Sequence, residues 1–410
     1  LAGFFVYQLF FYLLNVINAN DIYCKFTPVT DVRSRMNKKV FRAVVGIVLA
    51  LALSANFTVA QAATKNANKA TSAKDVGGLA ELIKLAKKEG ELNTIALPDY
   101  WANYGNVIKR FSEKYGIKVN SYDPEASSAE ELVAVRTLKG QDRMPDVVDV
   151  GLQFAVQGAQ EGLWAPYKVS TWNDIPTAAK DAKGLWYSDY GGYIAIGYDA
   201  NVVKTPPKSF ADLLNPMYKN QVALNGDPTS SNSAFLSVLA TSVAAGKGIK
   251  GANNIQYGLE FWSKLKSSGN FVPVAATPAT VEAGQTPILL DWDYLHAKYK
   301  GQSGKVDWKV VVPTDALLGG FYAQAVVKNS PHPAAARLWQ EFLYSDEGQN
   351  LWLQGGARPI RLDAMVKAKK HDKTAYALLP ATPKGVTPVF PSLQQQLLAK
   401  ALLTPAWPKL

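Results

Sequence analysis

Two stretches decide the fold: GLWYSDYGGYIAIGYD at residues 184–199 and GGFYAQAVVK at residues 319–328. In each, a glycine pair sits among Trp, Tyr and Phe and runs into an alternating strand pattern with no amphipathic helix before it. Both read as connectors between two bodies. On the N-terminal side of the first, an amphipathic helix LAELIKLAKKEG ends at Gly90 and is followed by the strand ELNTIAL, a helix through Val107, Ile108, Phe111 and Tyr115, and the strand IKVNSYD. A helix opened by Ser127, Ser128, Glu130 and Glu131 and the short strand DVVDVG then follow. Strand and helix alternation of this kind is the pattern of a parallel sheet covered on both faces. Between the connectors the alternation restarts, with SFADLLN, SAFLSVLATSVAAG and GLEFWSKLKSSG as helices and QVALNG, TPILLDW and KVDWKVVVP as strands. After the second connector come the helices AAARLWQEFLYS and DEGQNLWLQGG. The chain therefore leaves one body, builds a second, and returns.

The chain has 410 residues, 48% hydrophobic and 11% aromatic, which excludes a disordered or fibrous protein. Lys and Arg number 44 against 33 Asp and Glu, yet the basic residues are scattered rather than gathered into an arm or stripe. Nucleic acid is not expected as a partner.

Met36 opens the segment MNKKVFRAVVGIVLALALSANFTVAQA, with Lys38, Lys39 and Arg42 at its start, an apolar run from Ala43 to Leu53, and Ala60 and Ala62 flanking Gln61. These are the parts of a cleaved secretory signal, and the apolar run is too short for a bilayer span. Residues 1–35, which begin at Leu1, read as a leader or a mis-assigned start. The only cysteine, Cys24, lies among them, so the exported chain is expected to carry no disulfide, thiolate nucleophile or lipid attachment site. The expected division is 1–35 leader, 36–62 signal peptide, 63–78 flexible lead-in, 79–198 the first part of lobe 1, 199–318 lobe 2, 319–360 the return to lobe 1, and 361–410 C-terminal helices packing on lobe 2.

From Leu79 to Leu403 the chain resembles the type II solute-binding proteins of bacterial ABC importers, in the group of ferric-ion, thiamine, polyamine and phosphonate binders. The residues that carry the resemblance are ELNTIALPDYW, GYIAIGYDANVVK with Pro206, Ser209 and Phe210, ALNGDPTSSNSAF, and AVVKNSPHPAAARLWQEFLYSDEGQ. It implies an α/β fold of two lobes, each a mixed sheet flanked by helices, joined by a two-crossover hinge that closes on a solute. It also implies a periplasmic monomer, no cofactor, and delivery to an ABC permease in the inner membrane.

Ligands of such sheets sit at strand C-termini and helix N-termini. Asp99, Tyr100 and Trp101 combine a charge with aromatic faces, and Gln153 follows the strand DVVDVG. Thr229, Ser230, Ser231 and Asn232 place more donors at a helix start than one cap needs, which suits an anion. Asp293 and Tyr294, after the strand PILLDW, either cap a helix or receive an ammonium group. Tyr190 and Tyr322 lie in the connectors. The expected solute is small and polar, anionic or zwitterionic; a polyamine or ferric ion is the alternative, with iron disfavoured because Trp292-Asp293-Tyr294 has a single tyrosine where ferric binders usually show adjacent ones. An exported α/β hydrolase or transferase is the competing class. His296, His332 and His371 are far apart, no nucleophile has a base beside it, and an enzyme is not expected.

Overall fold

The computed structural model describes residues 66–247, 254–300, 304–380 and 383–410; the expected leader and signal peptide lie outside the described residues. Residues Thr64–Leu410 form one compact unit. Helix α1 (Leu79–Glu89) stops where Gly90 takes φ 76°, a left-handed turn that glycine enters without steric cost. Strand β1 (Glu91–Ile95), helix α2 (Tyr104–Tyr115), strand β2 (Lys118–Tyr122), helix α3 (Ser128–Thr137), strand β3 (Val147–Gly151), helix α4 (Leu152–Gln160) and the short β4 (Trp164–Ala165) complete the first run. β1 and β2 pair in parallel, Glu91 opposite Lys118 through Ile95 opposite Tyr122. Helix α2 buries Tyr104, Val107, Phe111 and Tyr115, the spacing of a single helix face.

Strand β5 (Tyr187–Asp199) decides the architecture. Its first half pairs with the returning strand β9 (Leu317–Val327), and its second half pairs with β7 (Ile288–Trp292) and β8 (Trp308–Val311). The change of neighbour falls between Tyr193, opposite Gly319, and Ile194, opposite Trp292. One strand thus belongs to both lobes. Where the two crossovers meet, Gly192 faces Gly320, and a Cβ on Gly191 would stand 2.1 Å from the Gly320 carbonyl oxygen. Only glycine permits that approach.

The second lobe holds β6 (Val222–Leu224), parallel to β7, with helices α5 (Asn232–Ser242), α6 (Asn254–Ser267) and α7 (Pro278–Glu282). All eleven residues of α5 are buried, so it is a central helix. After β9 the chain forms α8 (Pro333–Leu343), α9 (Asp346–Gln354), β10 (Arg358–Pro359), α10 (Leu362–Lys367), α11 (Lys373–Ala377), β11 (Pro388–Val389) and α12 (Leu393–Ala406). β10 pairs with β5 and β11 with β9.

Four expectations are corrected. The first run is not a parallel sheet throughout, because β3 and β4 lie antiparallel to the returning β9. SFADLLN forms only a 3-10 turn at Ala211–Leu214, and the segment after Tyr294 is likewise 3-10, Leu295–Lys300. The part of the flexible lead-in that is described is folded: Ala67, Ala70, Ala73 and Val76 are buried. Arg337, buried on α8, donates to the carbonyls of Asn68 and Ala70 at 3.1 and 2.8 Å. A guanidinium needs such acceptors when desolvated, and the lead-in supplies them.

Candidate functional site

A cleft of about 250 Å3 lies where loops from both lobes converge. Lobe 1 contributes Tyr100 and Trp101 after β1, Glu125 to Ser128 with Glu130 and Glu131 at the start of α3, and Asp149 on β3. Lobe 2 contributes Asn225 to Asp227 and Ser230 to Asn232, entering α5, with Ala275 and Thr277. Tyr322 reaches it from β9. Backbone conformations around it are uncommon: Ala96, which lines the cleft, has φ 59°, and Ala102 and Asn103 have φ 44° and 70°. Non-glycine residues hold such angles only where surrounding contacts dictate them.

Its electrostatics are one-sided. Five carboxyl side chains line it, Glu125, Glu130, Glu131, Asp149 and Asp227, and no Lys, Arg or His does. Glu125 accepts the Tyr100 hydroxyl at 2.6 Å. Glu130 closes a capping box with Ser127. Glu131 is buried and accepts the Asp149 N–H at 3.1 Å; burial, reinforced by Asp149, holds its carboxyl well above the ordinary range. Asp149 accepts the hydroxyls of Tyr104 and Tyr190, both at 2.7 Å, and Tyr190 accepts Trp101 Nε1 at 2.8 Å. Burial pushes Asp149 up to about 7 even so. Burial and the nearby Asp149 likewise hold Asp189 well above the ordinary carboxylate range.

Of the residues singled out in the sequence, Tyr100, Trp101, Ser230, Ser231, Asn232 and Tyr322 line the cleft. Tyr190 stands behind them, stacked on Tyr322 with centroids 5.9 Å apart. Asp99, Gln153, Thr229, Asp293 and Tyr294 do not line it. Asp99 is exposed on its loop, while Gln153 and Tyr294 are buried.

Asp293 has a different occupation from the one expected. Its Oδ2 takes Arg358 Nη1 at 2.7 Å and its Oδ1 takes the N–H groups of Tyr193 and Tyr294. Burial raises its carboxyl in spite of Arg358. The hydroxyl cluster also differs in role. Thr229 donates to Asp227 Oδ1, Ser230 to the Asp227 carbonyl and Ser231 to the Asn225 carbonyl, so these hydroxyls shape their own loop. Asn232, at the first turn of α5 and 2% exposed, has both amide atoms unpartnered, as does the buried Gln153, and of the two Asn232 lines the cleft. It lies against Gly151 of lobe 1, where a Cβ would come within 2.4 Å of it.

Glu125, Glu131 and Asp149 escaped the sequence reading. Glu131 was absorbed into an ordinary helix start, although that helix follows a strand. Asp149 carried the better signal, an acid at an inward position of the apolar strand VVDVG. Among the described residues, no group of three or more His, Cys, Asp or Glu is placed to hold a metal ion, and no helix is long and apolar enough to cross a membrane.

Two lobes sharing two crossing strands, with a polar cleft at the convergence of strand ends and helix N-termini, define a binding protein of the type II periplasmic class. Residues 142–380 match the family model of the bacterial extracellular solute-binding proteins, and the chain belongs to that family. Its partners as a member are a small solute and the permease of an ABC importer. Solved structures share the fold. The binding protein AgtB from A. tumefacien R10, in complex with agropinic acid, superposes with a TM-score of 0.61 at 15% identity over 78% of this chain and 98% of that one. AfuA from Actinobacillus pleuropneumoniae, with fructose-6-phosphate bound, gives 0.58 at 16% identity, and iron-bound HitA from Pseudomonas aeruginosa gives 0.54 at 21%, each over 78% of this chain and 98% of the other.

Proposed function

We propose that the chain, exported to the periplasm by cleavage after residue 62 and acting there as a monomer without enzymatic activity, captures a small zwitterionic solute. The observation that carries this reading is the makeup of the cleft: carboxylates and no side-chain cation on its walls, with the α5 N-terminus and the unpartnered Asn232 amide facing in. A dianion such as a phosphate monoester would meet Glu125, Asp149 and Asp227 with only backbone and amide donors to offset them. A solute with an ammonium end at Glu125 and the faces of Tyr100 and Trp101, and a carboxylate or phosphonate end at Asn232, uses both walls. The solutes in the similar structures include agropinic acid, fructose-6-phosphate and iron, so the fold leaves the chemistry to these loops. A polyamine is the second reading, favoured by the same carboxylates, and would leave Asn232 idle.

A thermal-shift screen separates them. An amino-carboxylate or aminophosphonate at a hundred times its dissociation constant adds about 2.7 kcal/mol and raises Tm by several degrees. Glu125→Gln and Asn232→Ala should each weaken the hit about tenfold, one charge-assisted hydrogen bond apiece. Stabilisation by a sugar phosphate alone rejects the zwitterion; stabilisation by spermidine that is insensitive to Asn232→Ala selects the polyamine. Mass spectrometry of the exported chain tests the processing site.

A further inference from the structure

We propose that the C-terminal segment from Pro388 to Ala406 is a strap across the hinge, with Lys400 as its clasp on the cleft-side loop 227–231. Three contacts place it there. β11 pairs with the start of β9, Pro388 opposite Leu317 and Val389 opposite Leu318. Phe390 then stacks on Phe321 at 5.6 Å and packs on Tyr193 at 5.9 Å, one ring from each crossover strand, and it occupies the space beside Gly319 that any side chain there would need. From this anchor α12 packs on α6 of lobe 2 and reaches α4 of lobe 1.

Lys400 makes the connection specific. Its Nζ donates to the Pro228 carbonyl at 2.8 Å, inside the loop that enters α5. The same ammonium lies 5.2 Å from the ring of Phe154 on α4 and 5.2 Å from the ring of Phe235 on α5. One cation therefore bridges an aromatic ring of each lobe. Burial pushes Lys400 down to about 8, with Asp227 as the charged group that opposes the shift. A lysine kept in such a place is held by contacts that offset its desolvation.

A strap biases an open and closed equilibrium only through contacts that differ between the two. Separation of the lobes parts Phe154 from Phe235 and leaves the ammonium with one ring, and it shears Phe390 between Tyr193 and Phe321. The segment thus favours the closed arrangement before any solute arrives, and it holds the 227–231 loop in register for the solute. This inference is independent of the solute's charge.

The test uses the ligand-free full chain in a Cys24→Ser background, with spin labels at Lys109→Cys on α2 and Lys266→Cys on α6, both exposed positions. The unmodified strap should give one short inter-label distance. Lys400→Met and Phe390→Ala should each shift the distribution to longer distances, and Lys400→Arg, which keeps the cation over the rings, should restore it. Phe390 is 48% exposed, so Phe390→Ala decides the matter even where Lys400→Met fails to fold. Distributions unchanged in the folded variants overturn the strap.

Discussion

Asp149 and Asp189 are buried on β3 and β5, the two strands that flank β9, and what reaches them are hydroxyls, the Gln324 amide and a backbone N–H. Acids whose folded pKa is raised bind protons that the unfolded chain has released, so they cost stability as pH climbs from the ordinary carboxylate range through about 7. Asp189→Asn should flatten this decline, read as the urea midpoint between pH 5 and 8; a wild-type slope that persists in the variant would show that the pair is not its source. His332 acts in the same direction from the other sign of charge. Its Nδ1 meets Asp146 at 2.8 Å, and that hydrogen bond raises its pKa above 6.5. Its contribution is complete below the unfolded value and is lost as pH rises through the folded one. The Tm difference between wild type and His332→Gln should therefore be larger at pH 5.5 than at pH 9. These partners were illegible beforehand, since His332 and Asp146 are 186 residues apart in the chain.

At the scale of elements, the strands and helices were legible because their periods are local. β1, β2, β3 and β7 each fall inside the segment the alternation predicts, as does α9, and α8 starts one residue ahead of its segment, at Pro333. The point at which β5 changes neighbours was not legible, because the run from Tyr187 to Asp199 is one unbroken strand and its partners come from residues 288–359. The turn of the hinge is therefore assigned to Gly191–Tyr193 and Gly319–Phe321 rather than to the end of the strand at Tyr198. Gly191→Ala should cost about 1–3 kcal/mol through the clash with Gly320. Asp293→Asn, which leaves Arg358 without its buried partner, should cost about 3–5 kcal/mol. Chemical denaturation measures both. If Asp293→Asn instead left stability intact and abolished solute binding, the carboxylate would belong to the ligand after all.

For the whole molecule, closure is the property that links fold to transport. The two crossovers are short, glycine-rich and covered by Phe390, so rotation about them moves one wall of the cleft, Asn225 to Asn232, against the other, Glu125 to Asp149. Because the strap favours closure before solute arrives, small-angle scattering should show the radius of gyration of Phe390→Ala falling when the solute identified by the thermal screen saturates it, and by more than that of the unmodified chain. A radius identical with and without solute would mean that the lobes are already locked.

The sequence by itself determined the class: two alternating α/β runs, two glycine and aromatic crossovers, and the loops at strand ends as the place to look. Those features follow from local periodicity and from conformations that only certain residues tolerate. Tertiary structure alone decided which side chains line the cleft. Thr229, Ser230 and Ser231 looked like spare donors until the loop folded and used them on itself, leaving Asn232. Asp293 looked like a receptor until β10 brought Arg358 to it from 65 residues away. A polar group's role depends on what else has already satisfied it, and a linear sequence does not record those partners.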